Sequence, residues 1–344
     1  MRQAIIFFVC VVLLIGAVSC RRAGVTGQGG GEVVVYTALD DVFSRPILDA
    51  FQKKTGIIAR PVFDTEAAKT AGLAARIVAE KDSPRCDVFW SNEAMHSVRL
   101  KAFGLTRPYD SPTASDIPEV FRDSERHWTG FAARARVIVF NTQKAQRAEI
   151  PADIRKLAEP QWRGRLAIAV PLFGTTSSQC CALAHDWGEE ELKKFLLALK
   201  ANDTVFATGN GHACRLTAAG DVALCLTDTD DYLVEKAKGA PIEVFLPLTA
   251  GAETMVIPNT VCVIKGAPHP AQAEKLVDYL ISAEVERALA LCPSGQIPVR
   301  SGIDSSEMPF SLSRLGKWTH PDWNKAAAQY EWFTPWAREN LLAR

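Results

Sequence analysis

The sequence lacks the short motifs that mark common enzyme active sites. G-x-S-x-G, H-E-x-x-H, G-x-x-x-x-G-K-[ST] and G-x-G-x-x-G are all absent, and the six histidines are dispersed along the chain. No C-x-x-C pair occurs, so a zinc site built from thiolates is not indicated. We therefore expect that this chain is not an enzyme. A secreted enzyme and a sensor-type binding module remain the alternative hypotheses.

The chain also lacks net charge. It has 39 basic and 39 acidic residues and no basic block. Proteins that bind nucleic acid carry a concentrated positive surface that meets the phosphates. Nucleic acid is therefore not an expected partner.

Only the N-terminus has a long apolar run. Arg2 precedes fifteen uncharged residues, 4–18, which resemble the core of an export signal and are short for a spanning helix of ~20 residues. The following "AVSC" resembles a lipoprotein cleavage box, which predicts a signal peptide over 1–20 and lipid anchoring at Cys20. Ordinary secretion and an uncleaved anchor remain alternatives. Glycine-rich residues 21–31 are typical of a flexible tether.

The remaining residues alternate between β-branched runs and helical patterns. "EVVVYT", "IIARPVF" and "CDVFWSN" read as strands, and each is followed by an amphipathic stretch of ten to fifteen residues. The same alternation resumes after Trp128. This pattern predicts an α/β fold with a parallel sheet, in which ligands bind beyond the carboxyl ends of the strands. We therefore expect Thr37–Asp41 and Ser91–Glu93 to lie close together.

Two later loops carry candidate ligand groups. "TDTDD" places three carboxylates in four positions after a buried run, so Asp228 or Asp230 either caps the next helix or faces a ligand. "FGTTSSQ" places hydroxyls at a helix start, which suits either N-capping or an anion. Arg134 and Arg136 share one face of a strand and could add one guanidinium to that anion. Asn210 in "GNG" is either a turn residue or a ligand contact.

The ordered segments "VVVYTALDDVFSRPILDAFQKKTGI", "CDVFWSNE", "RARVIVFNT", "FGTTSSQ", "TDTDDY" and "IPNTVCVIKGAPHPAQAEKLVDYLISAEVERALA" resemble the ferric-ion-type periplasmic solute-binding proteins of ABC transporters. The resemblance implies the two-lobed type II binding-protein fold, with mixed sheets flanked by helices and a ligand cleft between the lobes. It implies that residues 32–128 with 258–300 form lobe 1, and that residues 129–257 with 301–344 form lobe 2. It also implies a monomer that delivers its ligand to a membrane permease and its ATPase.

The chain departs from this family at the metal ligands. Ferric members carry adjacent tyrosines where this sequence has Thr229 and Asp230, and only five tyrosines occur in the chain. The resemblance therefore implies a metal cation, such as iron, held by carboxylates: Asp40, Glu93, Asp228 and Asp230. Carbonate or phosphate would accompany the cation, and no further cofactor is expected.

A second interpretation uses the same carboxylates as acceptors for the hydroxyls of a sugar phosphate or a similar solute. Both interpretations predict one set of ligand-binding residues, namely Thr37, Asp40, Asn92, Glu93, Arg134, Gly174, Thr175, Thr176, Asn210, Thr227, Asp228 and Asp230. The predicted location is the periplasmic or outer side of the membrane, with Cys20 as the anchor.

Overall fold

A computed structural model describes residues 30–64, 71–248, 253–303 and 306–342. The predictions for the signal peptide, for Cys20 and for tether residues 21–29 lie outside the described residues. Within the described ranges, no helix combines the length and the apolar character needed to cross a bilayer.

Strands and helices alternate along the chain as the sequence pattern predicts. The strands are β1 Glu32–Thr37, β2 Ile58–Phe63, β3 Val88–Ser91, β4 Thr106–Arg107, β5 Thr129–Asn141, β6 Leu166–Ala169, β7 Val205–Ala207, β8 Leu224–Asp228, β9 Ile242–Phe245, β10 Thr254–Ile264 and β11 Trp318–Thr319. The α-helices are α1 Asp41–Thr55, α2 Ala71–Ala79, α3 Met95–Ala102, α4 Gly174–Trp187, α5 Glu189–Ala201, α6 Asn210–Ala219, α7 Thr229–Ala237, α8 Pro270–Leu280, α9 Ala283–Leu291 and α10 Trp323–Ala337. Short 3-10 turns cover Pro112–Ala114, Glu119–Phe121, Arg147–Glu149, Ile154–Ala158 and Pro160–Trp162, and a π-helical turn covers Arg338–Leu342.

The sheet is mixed rather than parallel throughout. Its strand order is β2-β1-β3-β10-β5-β8-β6-β7, with β4 and β11 beside β10 and β9 beside β5. β1 pairs in parallel with β2 and β3, and β6 pairs in parallel with β7 and β8. The long strands β5 and β10 lie between these two groups and pair antiparallel with each other. The alternation of strands and helices therefore predicted the two parallel groups but not the antiparallel pair that joins them.

Helix α1 illustrates how local sequence produces these elements. Ile47, Leu48 and Phe51 share one face and are buried. The helix ends at Gly56, whose φ of 70° is a left-handed conformation that glycine adopts without a Cβ clash. Val42, which the helical spacing also assigned to the apolar face, is 72% exposed in the first turn.

Helix α10 packs against both α3 and α4. Its Trp323, Phe333 and Ala337 are buried in the same apolar cluster as Val98 of α3 and Leu183 of α4. Helix α3 follows β3 in the first parallel group of strands, and α4 follows β6 in the second. Helix α10 therefore packs against one helix from each group.

Candidate ligand-binding site

One cavity lies where the carboxyl ends of five parallel strands meet. The empty space between its lining residues is about 600 Å³, a figure that includes space open to solvent. Arg134 of β5 lines the cavity, and the other lining residues end or follow β1, β3, β6, β7 and β8. The full set is Ala38, Leu39, Asp40, Phe43, Asn92, Arg134, Ala169, Val170, Phe173, Gly174, Thr175, Thr208, Gly209, Asn210, Asp228, Asp230 and Asp231. The loop after β1 is held against the end of β3, next to the loop that begins at Asn92, since the amide of Ala38 donates to the Trp90 carbonyl over 3.0 Å. This confirms the predicted proximity of the two loops.

Four helices begin at this cavity. The residues that precede α1, α4, α6 and α7 are Asp40, Phe173, Gly209 and Asp228, and all four line it. The first-turn amides of a helix have no partner inside the helix, and the helix dipole adds partial positive charge there. Phe173 and Gly209 have no side-chain acceptor for these amides. The starts of α4 and α6 are therefore suited to hold a negatively charged group.

The Asp228 carboxylate does not cap α7, although Asp228 occupies the N-cap position. It accepts instead from Arg136 Nη1 over 2.8 Å, from Thr175 Oγ1 over 2.5 Å and from Asn210 Nδ2 over 3.2 Å. The capping hypothesis for Asp228 is therefore wrong in this structure. A carboxylate held by three donors from separate elements is fixed in place at the cavity wall.

Arg134 supplies positive charge at the same wall. Its Nε donates to Asp230 Oδ2 over 3.1 Å, and its Nη1 donates to the carbonyl of Asn92. Burial works against its charged form, but the surrounding carboxylates, with Asp230 foremost, raise the pKa of the Arg134 guanidinium. Arg134 therefore stays protonated and offers a cation that lines the cavity.

Asp228, Asp230 and Asp231 form a compact acidic group. One carboxylate oxygen from each lies within 4.8 Å of the others. Asp231 also accepts from the Thr227 hydroxyl over 2.7 Å. Such spacing would allow a shared cation, but two of the three carboxylates are already paired with the guanidiniums of Arg134 and Arg136. These pairs reduce the net negative charge available to a metal ion.

Glu93 lies apart from the cavity. Its side chain is fully buried and accepts from the Ser178 hydroxyl over 2.6 Å and from the Met95 amide over 2.6 Å. Burial raises the pKa of its carboxyl. These bonds join the β3–α3 loop to helix α4, so the structure gives Glu93 a bridging role. Ligand binding by Glu93 stays a prediction.

The structure brings most of the predicted residues together. Those that line the cavity are Asp40, Asn92, Arg134, Gly174, Thr175, Asn210, Asp228 and Asp230. Thr37, Thr176 and Thr227 lie behind the lining, where Thr176 donates to Asn210 Oδ1 over 2.8 Å. Asn210 begins α6 rather than sitting in a free turn.

Sequence reasoning missed several lining residues. Asp231 lines the cavity and follows Asp230 in the sequence "TDTDD". Its place in this acidic segment was the sequence feature that could have identified it as a lining residue. Phe43 and Phe173 give the cavity apolar walls, and no sequence motif distinguishes them from core phenylalanines. None of the five tyrosines, all within the described residues, lines the cavity. Tyr232 lies on α7, where it is buried and its hydroxyl donates to Glu243.

The sequence profile described as "Bacterial extracellular solute-binding protein" matches residues 83–328. An uncharacterized protein of Haemophilus influenzae is 24% identical over 326 residues, which cover 91% of this chain and 92% of the relative.

Two solved structures are similar to the whole described body. Iron-bound HitA from Pseudomonas aeruginosa has a TM-score of 0.79 at 24% identity and covers 89% of this chain and 99% of its own. The periplasmic binding protein AfuA from Actinobacillus pleuropneumoniae, with exogenous fructose-6-phosphate bound, has a TM-score of 0.79 at 21% identity and covers 91% and 99%. These similarities confirm the predicted two-lobed type II periplasmic binding-protein fold.

Proposed function

The chain belongs to the bacterial extracellular solute-binding proteins, and we propose that its cavity captures a hydroxylated organic solute that carries an acidic group, such as a sugar phosphate. The predicted resemblance to the ferric-type branch is confirmed at the level of the family. Membership in a family of solute-binding proteins supports a role in binding for import rather than in catalysis.

One observation carries the choice of ligand class. The uncapped starts of α4 and α6 open into the same cavity as Arg134 and as the carboxylates of Asp228 and Asp230. The helix starts and the guanidinium suit a phosphate or carboxylate, and ionised aspartates suit hydroxyl donors. A ligand that carries both kinds of group engages both sets at once. The bound fructose-6-phosphate of the Actinobacillus protein is a solute of this kind.

The aspartates also suit this ligand class because they are held rigidly. Asp228 is fixed by Arg136, Thr175 and Asn210, and Asp230 is fixed by Arg134. Side chains that need no reordering lose little conformational entropy when the ligand binds. The two phenylalanines, Phe43 and Phe173, add apolar surface against which the carbon skeleton of the solute can pack.

A second candidate is a carboxylate-bound cation with an accompanying anion. The observation that favours it is the 4.8 Å grouping of oxygens from Asp228, Asp230 and Asp231. Oxygen ligands suit hard cations, and the similar Pseudomonas structure is iron-bound. With Arg134 and Arg136 beside the carboxylates and no tyrosine among the lining residues, we expect Fe(III) to bind more weakly here than at a phenolate site.

We further propose the cellular location, the partners and the lobe boundaries of the protein. The signal-like N-terminus supports export, with a lipid anchor at Cys20 and a monomeric body outside the cytoplasmic membrane. The partners would be a permease and its ATPase. The division into residues 32–128 with 258–300 and residues 129–257 with 301–344 is supported by two features. β5 begins at Thr129, and the pairing of β10 shifts register between Ile257 and Asn259.

Native mass spectrometry of the exported protein, purified without chelator or phosphate buffer, tests the ligand class. A retained organic phosphate would support the proposal. A retained metal ion would favour the second candidate. If the purified protein carries neither, adding fructose-6-phosphate, inorganic phosphate or Fe(III) separately distinguishes the classes, and adduct formation with none of them would contradict both candidates.

A further inference from the structure

Arg136 has an unusual environment for a charged side chain. It is completely shielded from solvent, yet its guanidinium reaches five side chains. Its Nε donates to Gln179 Oε1 over 2.9 Å, its Nη2 contacts Thr176 Oγ1 at 3.3 Å, and its Nη1 contacts Asp228 at 2.8 Å, Asn210 at 3.3 Å and Thr175 at 3.4 Å. Burying a guanidinium is costly unless its donors are satisfied, so this arrangement is specific.

Arg136 does not belong to the cavity lining in the described part of the chain, but three of its partners do. Thr175 comes from α4, Asn210 from α6 and Asp228 from the end of β8. Arg134, two residues away on β5, lines the cavity itself. The two arginines therefore differ in position. Arg134 lines the cavity, and Arg136 lies behind the residues that line it.

The three partners are also bonded to one another. Asn210 Nδ2 donates to Thr175 Oγ1 over 2.7 Å, and Thr175 Oγ1 donates to Asp228 Oδ2 over 2.5 Å. These bonds alone leave the Asp228 charge buried without a counter-ion. Arg136 supplies the positive counter-charge and contacts Thr175, Asn210 and Asp228, so it completes the hydrogen-bond network.

We propose that Arg136 is a positioning residue that sets the relative placement of the starts of α4 and α6 and of the Asp228 carboxylate, without touching the ligand. The inference deepens the proposed function and depends on it only for the choice of binding probe. A planar guanidinium donates in several fixed directions, whereas a lysine ammonium is a single point of charge. The role therefore requires the shape of arginine as well as its charge.

Arg136→Lys is the principal test, because it keeps the charge beside Asp228 and removes the planar fork. We expect the variant to fold and to bind fructose-6-phosphate about tenfold or more weakly, as expected for a coupled network. We also expect faster amide hydrogen exchange confined to residues 174–178 and 209–213 of the ligand-free protein. Wild-type affinity together with wild-type exchange would overturn the proposal, as would faster exchange spread evenly over the whole chain.

Hydrogen exchange separates this inference from the ligand proposal. If the wild-type protein does not bind fructose-6-phosphate, the ligand class is wrong, and exchange in the ligand-free protein still decides the role of Arg136. Arg163→Gln is the matched control, because Arg163 pairs with Asp203 on the surface, where both side chains are more than 60% exposed. This control should change neither affinity nor local exchange.

A second pair of variants covers the case in which Arg136→Lys does not fold. Asp228→Asn is compared with the double variant Arg136→Gln/Asp228→Asn, which leaves no unpaired charge in the network. Because the double variant carries no unpaired buried charge, positioning by Arg136 predicts that its exchange at 174–178 and 209–213 stays faster than in the wild type. Exchange at the wild-type rate in these residues of the double variant would overturn the proposal.

Discussion

Arg134 Nε donates to Asp230 Oδ2 over 3.1 Å, and the pair is shielded unequally, since the side chain of Arg134 is 2% exposed and that of Asp230 is 19% exposed. The guanidinium is buried in the cavity wall, while part of the carboxylate remains accessible to solvent. An ionised carboxylate can accept more than two hydrogen bonds. Asp230 can therefore hold Arg134 and accept a hydroxyl from a solute at the same time.

Asp230→Asn should weaken solute binding more than it weakens the fold. Asparagine keeps one acceptor for Arg134 but loses the charge, and charge-assisted hydrogen bonds contribute ~1.5–3 kcal/mol each. We expect an affinity loss of about tenfold to a hundredfold for fructose-6-phosphate by titration calorimetry. Asp203→Asn on the surface is the control. Unchanged affinity of Asp230→Asn would remove Asp230 from the site.

Asp228→Asn should lower the free energy of unfolding substantially. Arg136 and Asp228 are both buried, and breaking a buried ion pair by removing one partner costs ~3–5 kcal/mol. Loss of a helix cap would cost only ~1 kcal/mol, and less for asparagine, which itself caps well. Denaturant unfolding monitored by tryptophan fluorescence measures the difference. A loss no greater than that of a cap would mean that the Arg136 pair contributes little to folding.

Strand ends were the reliable part of the sequence-based prediction. Asp40, Asn92 and Asp228 were located correctly because β-branched runs mark buried strands and the residues after them meet at one sheet edge. Side-chain direction could not be read in the same way. Asp228 and Glu93 both follow such strands, yet only Asp228 lines the cavity, because Glu93 turns inward to Ser178 and to the first amides of α3.

The start of α6 shows a second limit. The "GNG" pattern is typical of a turn, so the sequence analysis interpreted Asn210 as a turn residue or a ligand contact. In the structure α6 begins at Asn210, because the Asn210 side chain bonds Thr175 and Asp228 from neighbouring elements. Tertiary contacts of this kind override local propensity, and they are not visible in one sequence.

The pH dependence of stability should differ between the wild-type protein and Glu93→Gln. Burial raises the pKa of Glu93, and bonds from Ser178, His96 and Met95 oppose this effect only in part. A carboxyl with a raised pKa binds more protons in the folded state, so its stabilising contribution is present at acidic pH and is lost as pH rises through that pKa.

We therefore expect the wild-type free energy of unfolding to fall relative to that of Glu93→Gln as pH rises above the usual pKa of a glutamate carboxyl, about 4.5. Denaturant titrations at a series of pH values provide the measurement. Glu190→Gln, at a side chain that is 77% exposed, is the control and should give a nearly constant difference. A difference for Glu93→Gln that does not change with pH, or that favours the wild type as pH rises, would contradict the assignment.

Cys20→Ser should release the mature protein from the membrane fraction. If Cys20 carries the lipid, serine at this position removes the acylated thiol and the membrane anchor with it. Fractionation of cells expressing each form, followed by immunoblotting, measures the distribution. Equal membrane association of the two forms would contradict lipid anchoring at Cys20.

Titration calorimetry with matched probes tests the central claim most directly. Fructose-6-phosphate presents hydroxyls and an acidic group together, while fructose and inorganic phosphate present them separately. The account predicts one bound fructose-6-phosphate per chain, binding of each separate probe weaker by about tenfold or more, and strong loss of affinity in Arg134→Gln. No heat from fructose-6-phosphate, or equal affinity in the Arg134→Gln variant, would contradict the account.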